Sequence, residues 1–270
     1  MYFCTLSIAN NVLSLRPYYH PMQSVIPAEE KEVTYTEFLP CEALRPFIYC
    51  YWELKSPPRN TPFFYRVVAD GCIDLFFEYN NPQMSFLMGY CNTYVEIPIM
   101  GAFHYVGVRF LPSAFPLLFG QDAFEISAQE IPLREVVPAL ATFITQQLET
   151  PLSLATIAQH LDVYFLRHLS QRPLQIDNRF FSALSQILQS KGTIHISQLD
   201  TGISPRQLRR LFDYYIGDNP KTFSNIVRFQ HILSAKAYHN HSFLDTYYDQ
   251  AHFIKSFKTF YGDTPSKVLG

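Results

Sequence analysis

The last third of the chain repeats a pattern of 17 residues at an offset of 45 residues. The first copy, from Ser204 to Pro220, reads SPRQLRRLFDYYIGDNP, and the second, from Asp249 to Pro265, reads DQAHFIKSFKTFYGDTP. Each copy begins with a residue suited to an N-cap and carries apolar residues at i, i+4 and i+7. Each ends with glycine, which favours the left-handed turn after a helix, and then a proline suited to start the next one. The repeat therefore predicts two equivalent amphipathic helices.

The outward side of the first repeated helix is strongly basic. Arg206, Arg209 and Arg210 share one face through i+3 and i+4 spacing. Arginine on an exposed helix can bond guanine O6 and N7 or hold phosphates, so this face is typical of a helix that enters the major groove. A solvated charged face is the alternative. The outward side of the second helix carries a milder set of donors: Gln250, His252 and Lys255.

The charge distribution favours the same partner. Residues 177–270 contain 11 basic and 7 acidic residues, whereas residues 1–176 contain 10 basic and 16 acidic residues. A basic C-terminal part beside an acidic N-terminal part favours a polyanion partner for the former.

Between the two copies, residues Asn219–Tyr238 predict one long helix of about 30 Å, close to the roughly 34 Å between successive major-groove faces of B-DNA.

Three segments resemble the AraC/XylS family of bacterial regulators: Gly202–Phe212, Ile216–Gln230 and Tyr247–Val268. The resemblance implies two helix-turn-helix units whose recognition helices, Ser204–Tyr214 and Asp249–Phe260, enter successive major grooves of double-stranded DNA. It also implies a cytoplasmic activator that acts beside RNA polymerase, with an N-terminal domain that forms a homodimer or senses a small-molecule effector.

The supporting helices depart from the family pattern. In the first unit, Ile196–Leu199 reaches the turn about two residues early, and in the second, the segment between Ser242 and Tyr247 is roughly five residues short. An alternative function follows, in which an AraC-like module has lost specific DNA binding and binds another protein.

The fold class predicted for the whole chain is α+β. Residues 1–30 predict an extension, and residues 31–130 a β-rich, barrel-like or sandwich domain, because short β-branched and aromatic runs alternate with turn signals. A helical connector follows at 131–174, and an all-α domain with the two helix-turn-helix units at 175–270. Four segments of the first 120 residues resemble an uncharacterised domain found ahead of AraC-type DNA-binding domains: Leu44–Leu54, Val67–Phe77, Gly89–Ile97 and Gly107–Gly120. The predicted strands are Phe47–Leu54, Phe63–Val68, Cys72–Tyr79, Thr93–Ile99 and His104–Phe110.

Candidate ligand residues in the N-terminal part are Arg109, Trp52 and Asp70. An inward arginine in an aromatic-lined barrel can bind an anionic effector; alternatively it pairs with an internal carboxylate or points to solvent. Trp52 lines a pocket or packs in the core, and Asp70-Gly71 forms a polar cluster or a strand turn. The apolar stripes of the connector helices, Leu133–Glu149 and Leu152–Leu169, predict either dimerisation or packing on the sensor domain.

The remaining patterns exclude other classes of protein. The five cysteines form no C-x-x-C pair and join no histidine at metal-ligand spacing, which predicts no metal site. Their odd number, with no signal peptide recognisable in the first residues, predicts reduced thiols in a cytoplasm. No nucleophile elbow, phosphate-binding loop or zincin motif occurs, so we expect neither catalysis nor a cofactor. No apolar run approaches the roughly 18 residues of a membrane span.

Overall fold

The computed structural model describes residues 15–24, 26–148, 151–234 and 250–269. The fold class is α+β, as predicted: an antiparallel sheet part is followed by a helical part. The strands are β1 Thr34–Phe38, β2 Ile48–Ser56, β3 Phe63–Val67, β4 Ile73–Glu78, β5 Asn81–Met88, β6 Val95–Ile99, β7 Phe103–Phe110 and β8 Glu130–Pro132. The helices are α1 Ala114–Phe119, α2 Ala123–Ile126, α3 Leu133–Val136, α4 Pro138–Gln147, α5 Leu154–Gln171, α6 Asn178–Gln189, α7 Pro205–Ile216, α8 Pro220–Ser234, α9 Gln250–Tyr261 and α10 Pro265–Val268. Short 3-10 turns occur at Glu42–Leu44 and Ile196–Gln198.

All five predicted strands occur, with ends shifted by one or two residues, but three further strands were not predicted. β1 is largely exposed and lies at one edge of the sheet, and the three-residue β8 lies at the other. β5 begins at Asn81-Pro82, residue types that usually mark a turn. Edge strands with little apolar alternation give a weak signal, because their stability comes from the strand they pair with.

The eight strands form two sheets rather than one closed barrel. Six pair antiparallel in the order β1-β2-β7-β4-β5-β8, and β3 and β6 form a separate two-stranded ribbon. Residues alternate across the pleat, so each central strand has two different faces. One face, with Tyr51, Leu75 and Val108, is buried in the core shared with the helices. The other, with Trp52 and Phe76, faces the ribbon.

The connector helices pack on the helical face of the sheet. Phe110 of β7 meets Phe165 of α5 edge to face, with 5.7 Å between ring centroids. The Tyr51 hydroxyl donates to Asp162 Oδ1 at 2.7 Å and fixes α5 against β2. The predicted apolar stripes are therefore covered within the chain in part: Leu140, Ile144, Leu148, Ile157 and Leu161 are buried, whereas Phe143, Tyr164 and Leu169 are half-buried.

The single helix predicted over Leu133–Glu149 is interrupted. It occurs as α3 and α4, with Val137 between them at φ −134° and Pro138 at the first position of α4. The residue before a proline avoids the helical region because its backbone clashes with the pyrrolidine ring, and this accounts for the break. Glu149 lies outside the described residues.

One core extends from the sheet into the last helices. The buried cluster that contains Leu75 and Phe110 also contains Phe212 of α7, Phe223 of α8 and Phe257 of α9. The two predicted functional parts are thus packed against each other, so the sheet part fixes where the C-terminal helices lie.

Candidate nucleic-acid interface and sheet cavity

The first predicted recognition helix occurs as α7, with both ends specified by local sequence. Ser204 Oγ accepts from Gln207 N at 3.3 Å while Gln207 Oε1 accepts from Ser204 N at 3.2 Å, which is a capping box. Pro205 occupies the first turn, where its missing N–H costs nothing. Gly217 ends the helix at φ +100°, and its N–H donates to the carbonyls of Phe212 and Asp213.

The two faces of α7 are sharply divided. Leu208, Phe212, Tyr215 and Ile216 are buried. All three arginines named from the sequence, Arg206, Arg209 and Arg210, are exposed. A rigid helix therefore carries three cations into solvent along one face.

The three arginines of α7 have few acidic neighbours in the described part of the chain. Arg209 Nε lies 3.9 Å from Asp213 Oδ2, one helical turn on, and 69% of its side chain is exposed. Partial burial raises the pKa of Asp213, although Arg209 opposes that shift. Within the described ranges no carboxylate lies within ion-pair distance of Arg206 or Arg210. The face is therefore free to meet an anionic partner.

The second predicted recognition helix occurs as α9, from Gln250 to Tyr261. Gln250, His252 and Lys255 are exposed, whereas Phe253 and Phe257 are buried. The faces thus match those of α7, as the repeat predicts. Its proposed N-cap, Asp249, lies outside the described residues.

The segments around the two predicted recognition helices agree only in part with the sequence-based predictions. The spacer predicted over Asn219–Tyr238 occurs as α8 up to Ser234, and its remainder lies outside the described residues. The support of the first unit is a three-residue 3-10 turn, Ile196–Gln198, capped by His195. The short support predicted between Ser242 and Tyr247 lies outside the described residues.

The C-terminal end of α7 rests on the sheet part. Gly217 lies so close to α2 that a Cβ there would be 2.2 Å from Ser127 Oγ and 3.0 Å from the Ala123 carbonyl oxygen. Ser127 Oγ donates to the carbonyls of Ala123 at 2.7 Å and Gly217 at 3.1 Å. The N-terminal end, which carries Arg206, is exposed.

The C-terminal end of α9 is held in the same way. Tyr94 N donates to the Thr259 carbonyl at 3.2 Å and Ala69 N to the Phe260 carbonyl at 3.1 Å. These bonds satisfy carbonyls that a helix end leaves without a partner. The corresponding glycine, Gly262, lies against the Tyr94 ring, where a Cβ would be 2.7 Å from two ring carbons. Both copies of the repeat thus dock on the sheet part through the end of the helix.

Gln230 of α8 is a third link, and sequence reasoning missed its role. It is 1% exposed and lies on the apolar face of α8, beside the buried Ile226 and Val227. Its amide donates to the Ala69 carbonyl at 2.8 Å and to the Met22 carbonyl at 3.1 Å, and it accepts from Met22 N at 2.7 Å. The available signal was its polarity, because a glutamine inside an apolar stripe requires partners that the helix cannot supply.

A cavity of about 380 Å³ lies between the six-stranded sheet and the ribbon. Two of the three ligand candidates, Arg109 and Trp52, line it; Asp70 does not. Asp74 lies directly opposite Arg109 in the β4–β7 register. Its Oδ2 accepts from Arg109 Nε at 3.2 Å, and its Oδ1 accepts from Trp52 Nε1 at 2.8 Å.

Asp70 contacts the same guanidinium from the loop between β3 and β4. Its Oδ2 is 3.5 Å from Arg109 Nε, and its Oδ1 accepts from Cys72 N at 2.9 Å. Burial raises the pKa of Asp70 above its ordinary value, and Arg109 opposes that shift. Arg109 is therefore paired with internal carboxylates, one of the arrangements that the sequence left open.

Comparison with known proteins adds little about function. A family model described as a domain of unknown function (DUF6597) matches residues 36–132, which is the sheet part. A solved structure, "Crystal Structure of ToxT from Vibrio Cholerae O395", aligns with 89% of this chain and 98% of that one, at a TM-score of 0.38 and 11% identity. A likeness of that degree supports no conclusion. No curated protein matches the chain.

The described ranges contain neither a membrane-spanning helix nor a metal cluster. No helix there has the length and apolar character that crossing a membrane requires. No group of three or more histidine, cysteine or acidic side chains in these ranges is arranged to hold a metal ion.

Proposed function

We propose that this protein is an AraC-like, sequence-specific DNA-binding transcription regulator. In this proposal residues 175–270 bind double-stranded DNA and residues 31–130 form a sensing or dimerisation domain. The observation that carries it is the exposed arginine face of α7, a capped helix that recurs in the chain as α9.

The way the two helices are held suits this role. Helix-turn-helix proteins read bases mainly with the N-terminal residues of the recognition helix. The first residues of α7, beginning with Arg206, and those of α9, beginning with Gln250, are exposed. The C-terminal ends of both helices contact the sheet part. Arg206, Arg209 and Arg210 are proposed to contact bases or phosphates, and Gln250, His252 and Lys255 to bind the second groove.

The setting we propose is a bacterial cytoplasm, where the protein activates transcription beside RNA polymerase. Self-association into a homodimer would place two copies on paired half-sites. It would not form through Leu140, Ile144, Ile157 or Leu161 of the connector stripes, because those side chains are buried within the chain.

Fluorescence anisotropy on labelled DNA from the region upstream of the protein's own gene tests the proposal. The double variant Arg209→Ala/Arg210→Ala removes two cations from the face. Removing an arginine that bonds a base costs about 1–3 kcal/mol, so we expect affinity to fall about 30-fold or more. The slope of log affinity against log salt should also fall by about one for each phosphate that is no longer neutralised.

The matched control is Arg134→Ala/Arg167→Ala, which removes two exposed arginines from α3 and α5. It makes the same change in net charge away from the proposed interface. We expect affinity within about twofold of the unaltered protein, since only a distant field changes. Equal losses of affinity in the two double variants would show that net charge, and not the face of α7, determines binding.

A second candidate is a protein-interaction module that no longer binds DNA specifically. The observation in its favour is the supporting element of the first unit, which is reduced to the 3-10 turn Ile196–Gln198. Absence of any shift on genomic DNA fragments at low salt, together with a protein partner recovered through the face of α7, would favour it.

A further inference from the structure

Aromatic rings and methionines make up half of the residues that line the cavity between the two sheets. Trp52 and Phe76 line it from the sheet, and Met84, Phe86 and Met88 line it from β5. Its volume of about 380 Å³ falls within the range of small-molecule sites, which are mostly apolar with a few placed polar groups. Rings and thioethers around such a space favour a flat aromatic ligand.

The polar end of the cavity has an unused donor. The Arg109 side chain is only 3% exposed and lines the cavity, and its Nη1 has no hydrogen-bond partner in the described part of the chain. Glu37 Oε1 lies 4.0 Å from Nη1, beyond the distance of a hydrogen bond. A buried N–H without an acceptor is unfavourable, so a ligand that supplies one would gain by binding here.

The surrounding charges decide what kind of acceptor fits. Asp74, Asp70 and Glu37 lie 3.2, 3.5 and 4.0 Å from the Arg109 guanidinium, so one cation already faces three carboxyl groups. A ligand carboxylate or phosphate would add a further negative charge to this cluster in a setting of low polarity. A ligand ammonium would meet the guanidinium itself and would offer no acceptor to Nη1.

We infer that the cavity binds an uncharged aromatic compound whose hydroxyl or carbonyl oxygen accepts a hydrogen bond from Arg109 Nη1. The rings of the ligand lie among the aromatic and methionine side chains, and its oxygen lies beside Asp74. This site is independent of the proposed DNA binding and can be tested without DNA.

The chain carries its own reporter of the cavity, because Trp52 is its single tryptophan. The protein can be titrated with one of three probes of the same shape while Trp52 emission is recorded, with excitation at the red edge of tryptophan absorption. The probes are biphenyl-4-methanol, biphenyl-4-carboxylate and biphenyl-4-methylammonium. Calorimetry on the full chain gives the affinities. We expect the alcohol to change Trp52 emission and to bind at least about tenfold more tightly than either charged probe, a difference of about 1.4 kcal/mol.

Two variants separate binding in the cavity from binding elsewhere. Val67→Phe enlarges a half-buried residue that lines the cavity, and Val163→Phe makes the same exchange at an exposed position on α5. We expect the first to weaken binding of the alcohol at least about tenfold and the second to leave it unchanged, because overpacking is felt only where space is limited.

A third variant tests the role of charge. Asp74→Asn keeps an acceptor for Trp52 Nε1 and removes one negative charge beside Arg109. The ratio of the affinity for the alcohol to the affinity for the carboxylate should then fall about tenfold. A substitution that merely blocked the cavity would weaken both probes and leave this ratio unchanged. The inference is overturned if none of the probes binds, if either charged probe binds most tightly, or if Val67→Phe leaves binding of the alcohol unchanged. Because DNA is absent, failure here leaves the proposed regulator role untouched, and the reverse also holds.

Discussion

Two glycines on either side of α7 allow the docking of that helix to be measured. Gly217 and Gly202 both have left-handed backbones, with φ of +100° and +66°. A Cβ at Gly217 would lie 2.2 Å from Ser127 Oγ, whereas a Cβ at Gly202 would meet nothing within 4 Å. Gly202→Ala therefore reports backbone strain alone, and Gly217→Ala reports strain together with a collision against the sheet part.

The expected magnitudes follow from these environments. An alanine held in the left-handed region costs about 1–2 kcal/mol, which applies to both variants. At Gly217 the collision adds about 1–3 kcal/mol, as overpacking does in a filled core. We therefore expect the free energy of unfolding to fall by about 1–2 kcal/mol in Gly202→Ala and by about 2–5 kcal/mol in Gly217→Ala.

Urea unfolding followed by circular dichroism gives both free energies. The double variant Gly217→Ala/Ser127→Ala removes the atom that the new Cβ would strike, so part of the stability should be recovered as a coupling energy of about 1 kcal/mol or more. Equal losses of stability at Gly202 and Gly217, or strict additivity with Ser127→Ala, would refute the docking geometry described for the end of α7.

Three further predictions concern the sheet part and its links. Gln230→Leu should lower the free energy of unfolding by about 2–4 kcal/mol, because it removes three hydrogen bonds, one of them to a buried carbonyl. The control Gln146→Leu, on an exposed face of α4, should lower it by less than about 0.5 kcal/mol. Similar losses of stability in the two variants would contradict this prediction. Burial raises the pKa of Asp70, so its protonation stabilises the fold and that stabilisation is lost as pH rises. Asp70→Asn should therefore gain stability relative to the unaltered protein as pH rises from about 4 to about 7, and a constant difference would exclude the shift. Gly107→Ala should push aside the Trp52 indole, which lies 2.2 Å from the position of the added Cβ; a red-shifted emission is expected, and an unchanged spectrum would contradict it.

The repeated helices were predictable because their signals are local. A cap at Ser204, a proline at the first turn and a glycine at Gly217 act within one helix, and each does in the structure what its residue type suggests. The five apolar strands were equally legible, since alternation over a few residues reports burial on one face. These features together fix the fold class and the exposed faces of α7 and α9.

What the sequence left open depends on interactions between distant segments. The partner of Arg109 is Asp74, 35 residues away, and only the pairing of β4 with β7 places them opposite each other. Gln230 meets Met22 across 208 residues. The contacts at the ends of α7 and α9 could not be predicted either, because Ser127 and Tyr94 lie in loops whose positions depend on the whole sheet. Local sequence patterns do not show which distant residues come into contact.

The shared docking of the two helices bears on how such a chain can be recombined. If residues 175–270 were grafted onto a different N-terminal domain, the Thr259 and Phe260 carbonyls would lose the donors that Tyr94 and Ala69 now supply. A graft that succeeds must therefore keep the loops around Ala69 and Tyr94 for α9 and the turn at Ser127 for α7, or supply new contacts for both helix ends. The sheet part and the last helices therefore depend on each other for these hydrogen bonds, and separating them by recombination would destabilise the end of α9.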